Sequence, residues 1–491
     1  MTAVCVMVLG TTSGAGKSWL TTALCRHYAR LGLKVAPFKA QNMSNNARVV
    51  AGGEIGAAQY FQALAANAEP DVRMNPLLLK PEADTRSQVV LLGTVNRELS
   101  DMPWRGRSEK VWPYITAALD ALRAENDVVV MEGAGSPAEI NLHASDIVNM
   151  RVARHAQARC LLVTDIDRGG AFAHLYGTWA LLPADERALI HGFVLNKFRG
   201  DATLLAPGPQ MLQDLTGVPT VATLPMWWQH GLPEEDGVFD DRSRSAGTVR
   251  QTIAVIAYPR LSNLDEFQPL KNVPGLRLQW VRSPADVAGL RPTDWIVLPG
   301  SKATAADLAW LRAQGLDRAV AEHAAQGRAV LGICGGLQML GEALIDTHGI
   351  EAMHLGNAPG LGLLPLVTAF DTDKTVRHTT ATLGALTGPW AALSGVTVSG
   401  YEIHHGQTAQ HPAMAAAGDV ARPVLPNGLG WQNAAGNVLG VYLHGLFEDP
   451  RVLQALFGAS VPTLDSVFNG LADFIERHAE PGVLENLIRK P

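Results

Sequence analysis

A glycine-rich segment near the start of the chain restricts the fold more than any other feature. An apolar stretch at residues 3–9 runs into Gly10-Thr-Thr-Ser-Gly-Ala-Gly-Lys17-Ser18, and helical periodicity follows at residues 19–31. A strand, a loop of this kind and a helix form a phosphate-binding site, because the free N–H groups at the helix N-terminus face the phosphates. We expect Gly14 and Gly16 to bring the backbone close to a bound nucleotide.

The charged and hydroxyl side chains of this site are assigned by what nucleotide chemistry requires. We expect Lys17 to contact the β- and γ-phosphates of ATP and the Ser18 hydroxyl to ligate Mg²⁺. Glu132 ends an apolar stretch at residues 127–131. An acidic residue at such a strand end is the expected second anchor for Mg²⁺.

Further apolar stretches separated by helical ones predict strands at residues 34–37, 127–131, 160–164 and 191–195. This alternation predicts a doubly wound, parallel α/β sheet with its functional loops at one edge. The loops carry the other candidates of the first half: Lys39, Asn42, Asp165, Asp167, Arg168, Asn196 and Lys197. We expect Asn196 and Lys197 to contact the nucleotide base and the others to meet substrate or metal. Polar loops held by hydrogen bonds or salt bridges are the alternative.

A change in composition divides the chain, whose 491 residues are too many for one ordinary core. Residues 232–250 are first acidic and then rich in Arg and Ser, without apolar periodicity, and a new strand is predicted at 252–257. We predict four parts: an ATP- and substrate-binding unit at 1–235, a linker at 236–250, a second α/β unit at 251–450 and a helical tail at 451–491.

The second unit contains a candidate nucleophile, Cys334. It follows an apolar stretch at residues 329–333 and precedes Gly335 and Gly336, after which Leu337 begins a helical pattern. Glycines permit a sharp turn there, and the helix N-terminus favours a thiolate and can hold an oxyanion. The pattern therefore indicates a nucleophile elbow with sulfur in place of oxygen. The alternative is a buried structural cysteine.

A cysteine nucleophile needs a base, and His404, His405 and His444 all lie C-terminal to it. We prefer His444, because a strand predicted at 438–443 delivers it to a strand end, whereas His404 and His405 would line the pocket. Another strand, predicted at 295–298, leads into a glycine turn whose backbone at Ser301 fits an oxyanion hole. Gln338, in the helix after the cysteine, is assigned to substrate binding.

Charge and cysteine content exclude several classes of protein. The net charge is −6, from 40 basic and 46 acidic residues without a basic block, which argues against a nucleic-acid or membrane partner. The four cysteines show no paired spacing, the start lacks a positively charged leader, and no apolar run reaches the roughly 18 residues of a membrane span. We expect a cytoplasmic protein. Its oligomeric state is left open.

The two halves together resemble a known family. A cysteine elbow with a distant histidine resembles the class I glutamine amidotransferases, and a phosphate loop one residue longer than usual resembles that of dethiobiotin synthetase. Their combination on one chain resembles the cobyric acid / cobyrinic acid diamide synthase family. The segments that carry the resemblance span residues 37–44, 132–141, 163–170, 332–336 and 442–445.

The resemblance implies an ATP- and Mg²⁺-dependent ligase that takes ammonia from glutamine. The implied substrate is a corrinoid, adenosyl-cobyrinic acid a,c-diamide, amidated at its b, d, e and g side chains to give adenosyl-cobyric acid. One residue pattern departs from many class I amidotransferases, which place a glutamate two residues after the histidine; here His444 is followed by Gly-Leu-Phe-Glu448. We expect a Cys–His pair without an obligatory carboxylate.

Two other functions compete with this one. The sister enzyme of the family amidates the a and c positions, and the loops at residues 38–44 and 165–170 favour the b, d, e, g reaction over it. A regulatory ATPase of the partition or septum-positioning kind would carry a degenerate amidotransferase half. Intact Cys334 and His444, and the lack of a basic amphipathic C-terminal helix, argue against that function.

Overall fold

The structure is a computed structural model that describes residues 2–83, 85–228, 230–233, 248–350 and 356–490. Residues 236–247 of the predicted linker lie outside the described residues. The strands of the first unit are β1 Val4–Gly10, β2 Val35–Phe38, β3 Gln41–Met43, β4 Ala47–Val50, β5 Gly53–Gly56, β6 Leu77–Ala83, β7 Arg86–Leu91, β8 Thr94–Val95, β9 Val128–Glu132, β10 Arg159–Asp165, β11 Ile190–Phe198 and β12 Thr220–Pro225. Its helices are α1 Lys17–Arg30, α2 Ala57–Ala65, α3 Arg97–Asp101, α4 Trp104–Glu125, α5 Met150–Ala156, α6 Ala171–Leu181, α7 Ala184–Arg187, α8 Ala202–Leu205 and α9 Pro207–Thr216.

A parallel sheet of six strands, in the order β12-β11-β10-β1-β9-β2, forms the centre of this unit. Alternate residues of β1 point to opposite faces, so Met7 and Leu9 join one core while Val6 and Val8 join the other. Helices cover both faces, as the predicted doubly wound fold requires, and every predicted strand is present with slightly shifted ends. The loops at the carboxyl ends of β1, β9, β10 and β11 therefore meet at one edge.

The second unit is built on a mixed sheet of seven strands, β15-β13-β16-β18-β25-β24-β23. Its strands are β13 Gln251–Ile256, β14 Leu261–Ser262, β15 Leu276–Val281, β16 Trp295–Leu298, β17 Gly300–Ser301, β18 Val330–Ile333, β19 Ala343–Ile345, β20 Ala358–Pro359, β21 Leu366–Thr382, β22 Thr397–Gln410, β23 Arg422–Leu425, β24 Gly430–Gln432 and β25 Val438–Val441. The helices are α10 Pro284–Val287, α11 Thr304–Ala313, α12 Leu316–Ala325, α13 Gly335–Leu340, α14 Pro412–Ala416, α15 Pro450–Phe457, α16 Leu464–His478 and α17 Val483–Asn486. Strand β18, which leads to the cysteine, pairs with β16 on one side and β25 on the other.

Two hairpins bring the units together. The β4–β5 hairpin of the first unit contacts the long β21–β22 hairpin of the second. His378 shares a hydrogen bond of 2.8 Å with the carbonyl of Val49, and Lys374 forms a buried ion pair of 2.5 Å with Glu54. The same glutamate accepts from Lys80 of its own unit at 2.6 Å. Buried charges on both sides therefore fix how the hairpins meet.

The C-terminal helices return to the first unit. Helix α16 packs against α1, and its buried side chains join the core on that face of the first sheet. Polar contacts support this packing: Arg26 pairs with Asp465 at 2.8 Å, and the Tyr28 hydroxyl donates to the carbonyl of Leu484 at 3.0 Å. Among the described residues, no helix is both long and apolar enough to cross a membrane.

We predict that Leu471→Ala destabilises the protein, because Leu471 of α16 is 0% exposed within the core beside α1. The lost contacts and the resulting cavity should lower the free energy of unfolding by about 3 kcal/mol. Denaturant unfolding measures the change. Leu204→Ala is the matched control, since Leu204 is 81% exposed and its loss should change stability by less than about 0.5 kcal/mol. If Leu471→Ala changed the free energy of unfolding as little as Leu204→Ala, α16 would add nothing to this core.

Candidate functional site

The phosphate loop lies between β1 and α1, at the carboxyl edge of the first sheet. Gly14 and Gly16 have φ values of 73° and 100°, which side chains rarely adopt. A Cβ atom added at Gly16 would lie 2.1 Å from the side-chain nitrogen of Asn196. Asn196 donates to the carbonyl of Ala15 at 2.9 Å, and Lys197 donates to the carbonyl of Gly14 at 2.9 Å. Asn196 and Lys197 thus hold the loop; their contact with a nucleotide base stays a prediction.

Glu132 is the charged centre next to this loop. Its carboxylate accepts 2.8 Å hydrogen bonds from the Ser18 hydroxyl and the Lys39 ammonium, and a 2.5 Å bond from the Gln62 amide. Burial raises the pKa of Glu132, but the charge of Lys39 and the three hydrogen bonds together outweigh burial and leave the pKa below its ordinary value. An ionised carboxylate beside a hydroxyl oxygen suits Mg²⁺, which binds oxygen ligands and shares them with phosphates and water. Lys17 donates from Nζ to the carbonyls of Thr12 and Gly135.

A cavity of about 820 Å³ opens beside the loop. Its walls include the predicted residues Lys39, Asn42 and Arg168 and three partly exposed apolar side chains, Met43, Leu142 and Trp228. Asp165 lies behind this wall, where it accepts from Lys197 at 2.9 Å; Asp167 forms an ion pair with Arg199. The salt-bridged alternative thus describes both aspartates in this structure.

Cys334 occupies a strained turn between β18 and α13. Its φ of 50° and ψ of −106° are unusual for a residue with a side chain, and such strain often marks functional positions. The flanking glycines are required by space: a Cβ at Gly336 would lie 1.9 Å from the carbonyl oxygen of Leu298. The predicted elbow is therefore present in the structure, and the Cys334 thiol donates to the carbonyl of Ile403 at 3.7 Å.

His444 contacts the thiol, and a carboxylate contacts His444. A side-chain hydrogen bond joins Cys334 to the imidazole, whose Nδ1 lies 3.1 Å from Oε1 of Glu266. Burial lowers the pKa of His444, but the charges of Glu266 and Cys334, together with their hydrogen bonds to the ring, outweigh burial and raise it to about 10. A pKa this high favours the imidazolium form of His444 at neutral pH.

We expected a Cys–His pair without an obligatory carboxylate, but the structure places the carboxylate of Glu266 on His444; its requirement for hydrolysis is a prediction. Glu266 is 0% exposed and comes from a 3₁₀ segment, Leu264–Asn272, that follows the first strand of the unit. It accepts from the backbone N–H of Gly445 at 3.0 Å as well as contacting His444. Sequence spacing missed it because it lies 178 positions before the histidine. The sequence indicated only that Glu266 follows the strand predicted at 252–257, where functional loops of a parallel sheet are expected.

The remaining predicted residues surround this triad. A Cβ at Gly335 would lie 2.8 Å from the backbone nitrogen of Ser301, which places that N–H close to the elbow. The Ser301 hydroxyl donates to Asp307 at 2.6 Å, so the backbone N–H is the group suited to an oxyanion. Gln338 is buried, with its amide bonded to Thr304 at 3.1 Å and Tyr442 at 3.3 Å. Its contact with substrate stays a prediction.

The other two histidines have different partners. His404 lies 3.2 Å from Glu402 and 2.8 Å from the carbonyl of Gly406. His405 lies 3.1 Å from the carbonyl of Asp371, and burial lowers its pKa to about 4. These contacts support the preference for His444 as the base.

We predict that Glu266→Gln slows glutamine hydrolysis roughly 10-fold to 100-fold, as loss of a partner that orients a functional histidine does. Removing this negative charge lowers the pKa of His444 from about 10, so the alkaline decline in kcat should move to lower pH. Steady-state rates of glutamate release across pH give both values.

Glu402→Gln is the matched control, because it removes the carboxylate beside His404 instead. It should leave the pH profile in place. An unchanged profile in Glu266→Gln, or the same shift in both variants, would contradict the assignment of Glu266.

Comparison with known proteins agrees with this geometry. Residues 6–231 match the CobQ/CobB/MinD/ParA nucleotide binding domain, and residues 252–452 match the CobB/CobQ-like glutamine amidotransferase domain. A cobyric acid synthase of Polaromonas naphthalenivorans is 78% identical over 99% of this chain and 100% of its own length. Those of Acidovorax ebreus and Leptothrix cholodnii are 77% and 67% identical, over 99% and 98% of this chain and 99% and 96% of their own lengths. The chain belongs to the cobyric acid synthase family.

Proposed function

We propose that this chain uses ATP and glutamine to convert adenosyl-cobyrinic acid a,c-diamide into adenosyl-cobyric acid, by amidating the b, d, e and g carboxylates. The observation that carries the proposal is that one chain holds two separate groups of reactive side chains. One joins Cys334, His444 and Glu266, and the other joins Ser18 and Glu132 beside the phosphate loop. Family membership supports the choice of substrate.

Ammonia is released at the cysteine. The Cys334 thiolate attacks the side-chain carbonyl of glutamine, and the backbone N–H of Ser301 stabilises the oxyanion. His444 gives its proton to the departing nitrogen, which leaves as ammonia, and the acyl group stays on sulfur as a thioester. Water, activated by the neutral imidazole, then hydrolyses the thioester to glutamate and restores the thiolate and the imidazolium.

The new amide is formed beside the phosphate loop. A corrinoid carboxylate attacks the γ-phosphorus of ATP, ADP leaves, and the product is an acyl phosphate. Ammonia then attacks the acyl carbon, phosphate leaves, and an amide remains. Lys17 and the loop N–H groups balance the charge of the transferred phosphoryl group. Ser18 and Glu132 are the residues that would hold Mg²⁺, which neutralises phosphate charge when bound.

The cavity is suited to a large ligand with apolar faces and acidic arms. We infer that Met43, Leu142 and Trp228 contact the macrocycle, since they line the cavity and remain partly exposed. Arg168 is exposed on the same wall and can pair with a carboxylate, while Lys39 and Asn42 lie deeper, near Glu132. Asp165 acts indirectly by holding Lys197.

We predict that Cys334→Ser abolishes glutamine-dependent amidation but keeps amidation with added ammonium salts. Lys17→Ala should abolish both, because the carboxylate is no longer activated. Mass spectrometry of the corrinoid after incubation with ATP and Mg²⁺ counts the added amides. The matched control is Cys160→Ser, since Cys160 is buried in β10 away from both sites and should keep both activities.

Two outcomes would contradict the proposal. Loss of the ammonium-dependent reaction in folded Cys334→Ser would contradict the division of labour between the sites. An unchanged corrinoid mass with the unmodified protein would contradict the substrate.

A further inference from the structure

The β4–β5 hairpin of the first unit carries a buried arginine into the second unit. Arg48 is 2% exposed. Its Nε donates to Asp265 at 3.0 Å, its Nη1 donates to Glu448 at 2.8 Å, and Nη2 contacts both carboxylates. The guanidinium also lies 5.0 Å from the centre of the Tyr401 ring. A charge this deeply placed is tolerated because it is neutralised on two sides.

The two carboxylates and the Tyr401 ring that Arg48 contacts all lie beside the glutaminase triad. Asp265 immediately precedes Glu266 in the 3₁₀ segment. Glu448 lies next to Gly445: a Cβ there would be 3.6 Å from its Oε2. The Gly445 N–H in turn donates to Glu266. Tyr401 stacks on His444 at 5.4 Å between ring centres, and their backbones exchange hydrogen bonds.

This arrangement crowds three carboxylates: those of Asp265 and Glu266 are buried, and that of Glu448 is 27% exposed. Burial raises the pKa of Glu448; Arg48 lowers it, while Asp265 and Glu266 raise it further. Without the guanidinium, the carboxylates would repel one another in a region of low dielectric, and the least stable of them would take up a proton or move. The guanidinium of Arg48 also faces the rings of Tyr60 and Tyr401. Neither ring carries a positive charge that could replace the guanidinium and neutralise the carboxylates.

We propose that Arg48 is a positioning residue for glutamine hydrolysis: the nucleotide-binding unit supplies the positive charge that keeps Glu266 in place on His444. The proposal rests on the glutaminase half of the proposed function. It makes full activity of Cys334 depend on docking of the β4–β5 hairpin. The hairpin leads directly into α2, whose Gln62 donates to Glu132, so one continuous segment contacts both sites.

The test is the steady-state rate of glutamine hydrolysis, measured as glutamate release without any corrinoid. Arg48→Met should lower kcat roughly 10-fold to 100-fold, because small misplacement of a catalytic group costs about that much. The KM for glutamine should change less than kcat. Ammonium-dependent amidation should stay within about twofold of the unmodified protein, since that reaction does not use the triad.

The control and rescue variants separate positioning from general damage. Lys374→Met removes another buried ion pair between the units but leaves Glu54 paired with Lys80, so it should keep kcat. Adding Glu448→Gln to Arg48→Met removes one repelling charge and should restore several-fold of the lost rate.

Arg48→Lys keeps the positive charge but not the forked geometry, so its kcat should lie between those of Arg48→Met and the unmodified protein. If Arg48→Met does not fold, Arg48→Lys provides the test. Unchanged kcat in the arginine variants, an equal loss of ammonium-dependent activity, or an equal loss in Lys374→Met would overturn the proposal. If the proposed corrinoid substrate proved wrong, this test would still hold, because it measures glutamine hydrolysis without any corrinoid.

Discussion

The contact on which the rest of the molecule depends is the buried ion-pair network between its two units. Arg48 meets Asp265 and Glu448, and Lys374 meets Glu54, while the partly exposed pair of Lys302 and Glu82 adds a contact at 3.1 Å. Breaking one buried pair typically costs about 3–5 kcal/mol, because it strands a charge away from water. Such a network therefore specifies one arrangement of the units rather than a loose association.

A fixed arrangement of the two units suits the chemistry of amide formation from ammonia. A free carboxylate does not react with ammonia, and ammonia in neutral water is mostly ammonium, so activation and release have to be coupled. The units meet close to the cysteine: the Ile403 carbonyl accepts from the thiol, and Ile403 packs against Ala47 and Leu78 of the first unit. Leu78 is in register with Asn42, which lines the cavity beside Glu132. A short chain of contacts therefore joins the two sites.

Local patterns were sufficient where a residue's role depends on its chain neighbours. Apolar runs predicted the central strands, and glycine spacing predicted the elbow at Cys334 and the loop at Lys17. They failed where a role depends on a distant partner: Glu266, Gln62 and Arg48 are ordinary polar residues until the fold brings them to His444, Glu132 and Asp265.

The C-terminal segment shows the same limit. A helical tail was predicted for residues 451–491, and helices α15 to α17 occupy much of it. Its apolar side chains at Val467, Phe468, Leu471 and Ile475 recur at helical spacing and form a buried face. Periodicity reveals that such a face exists but not which surface it covers, and here it covers the nucleotide-binding unit.

One isotope experiment tests the central claim, that ammonia passes from Cys334 to the activated carboxylate within one docked molecule. The protein is incubated with ATP, Mg²⁺, the corrinoid diamide, glutamine labelled with ¹⁵N in its side-chain amide, and excess unlabelled ammonium at a pH where most of it is protonated. Mass spectrometry then gives the ¹⁵N content of the new amides. We predict amides that carry predominantly ¹⁵N; label diluted to the composition of the ammonium pool would contradict the account.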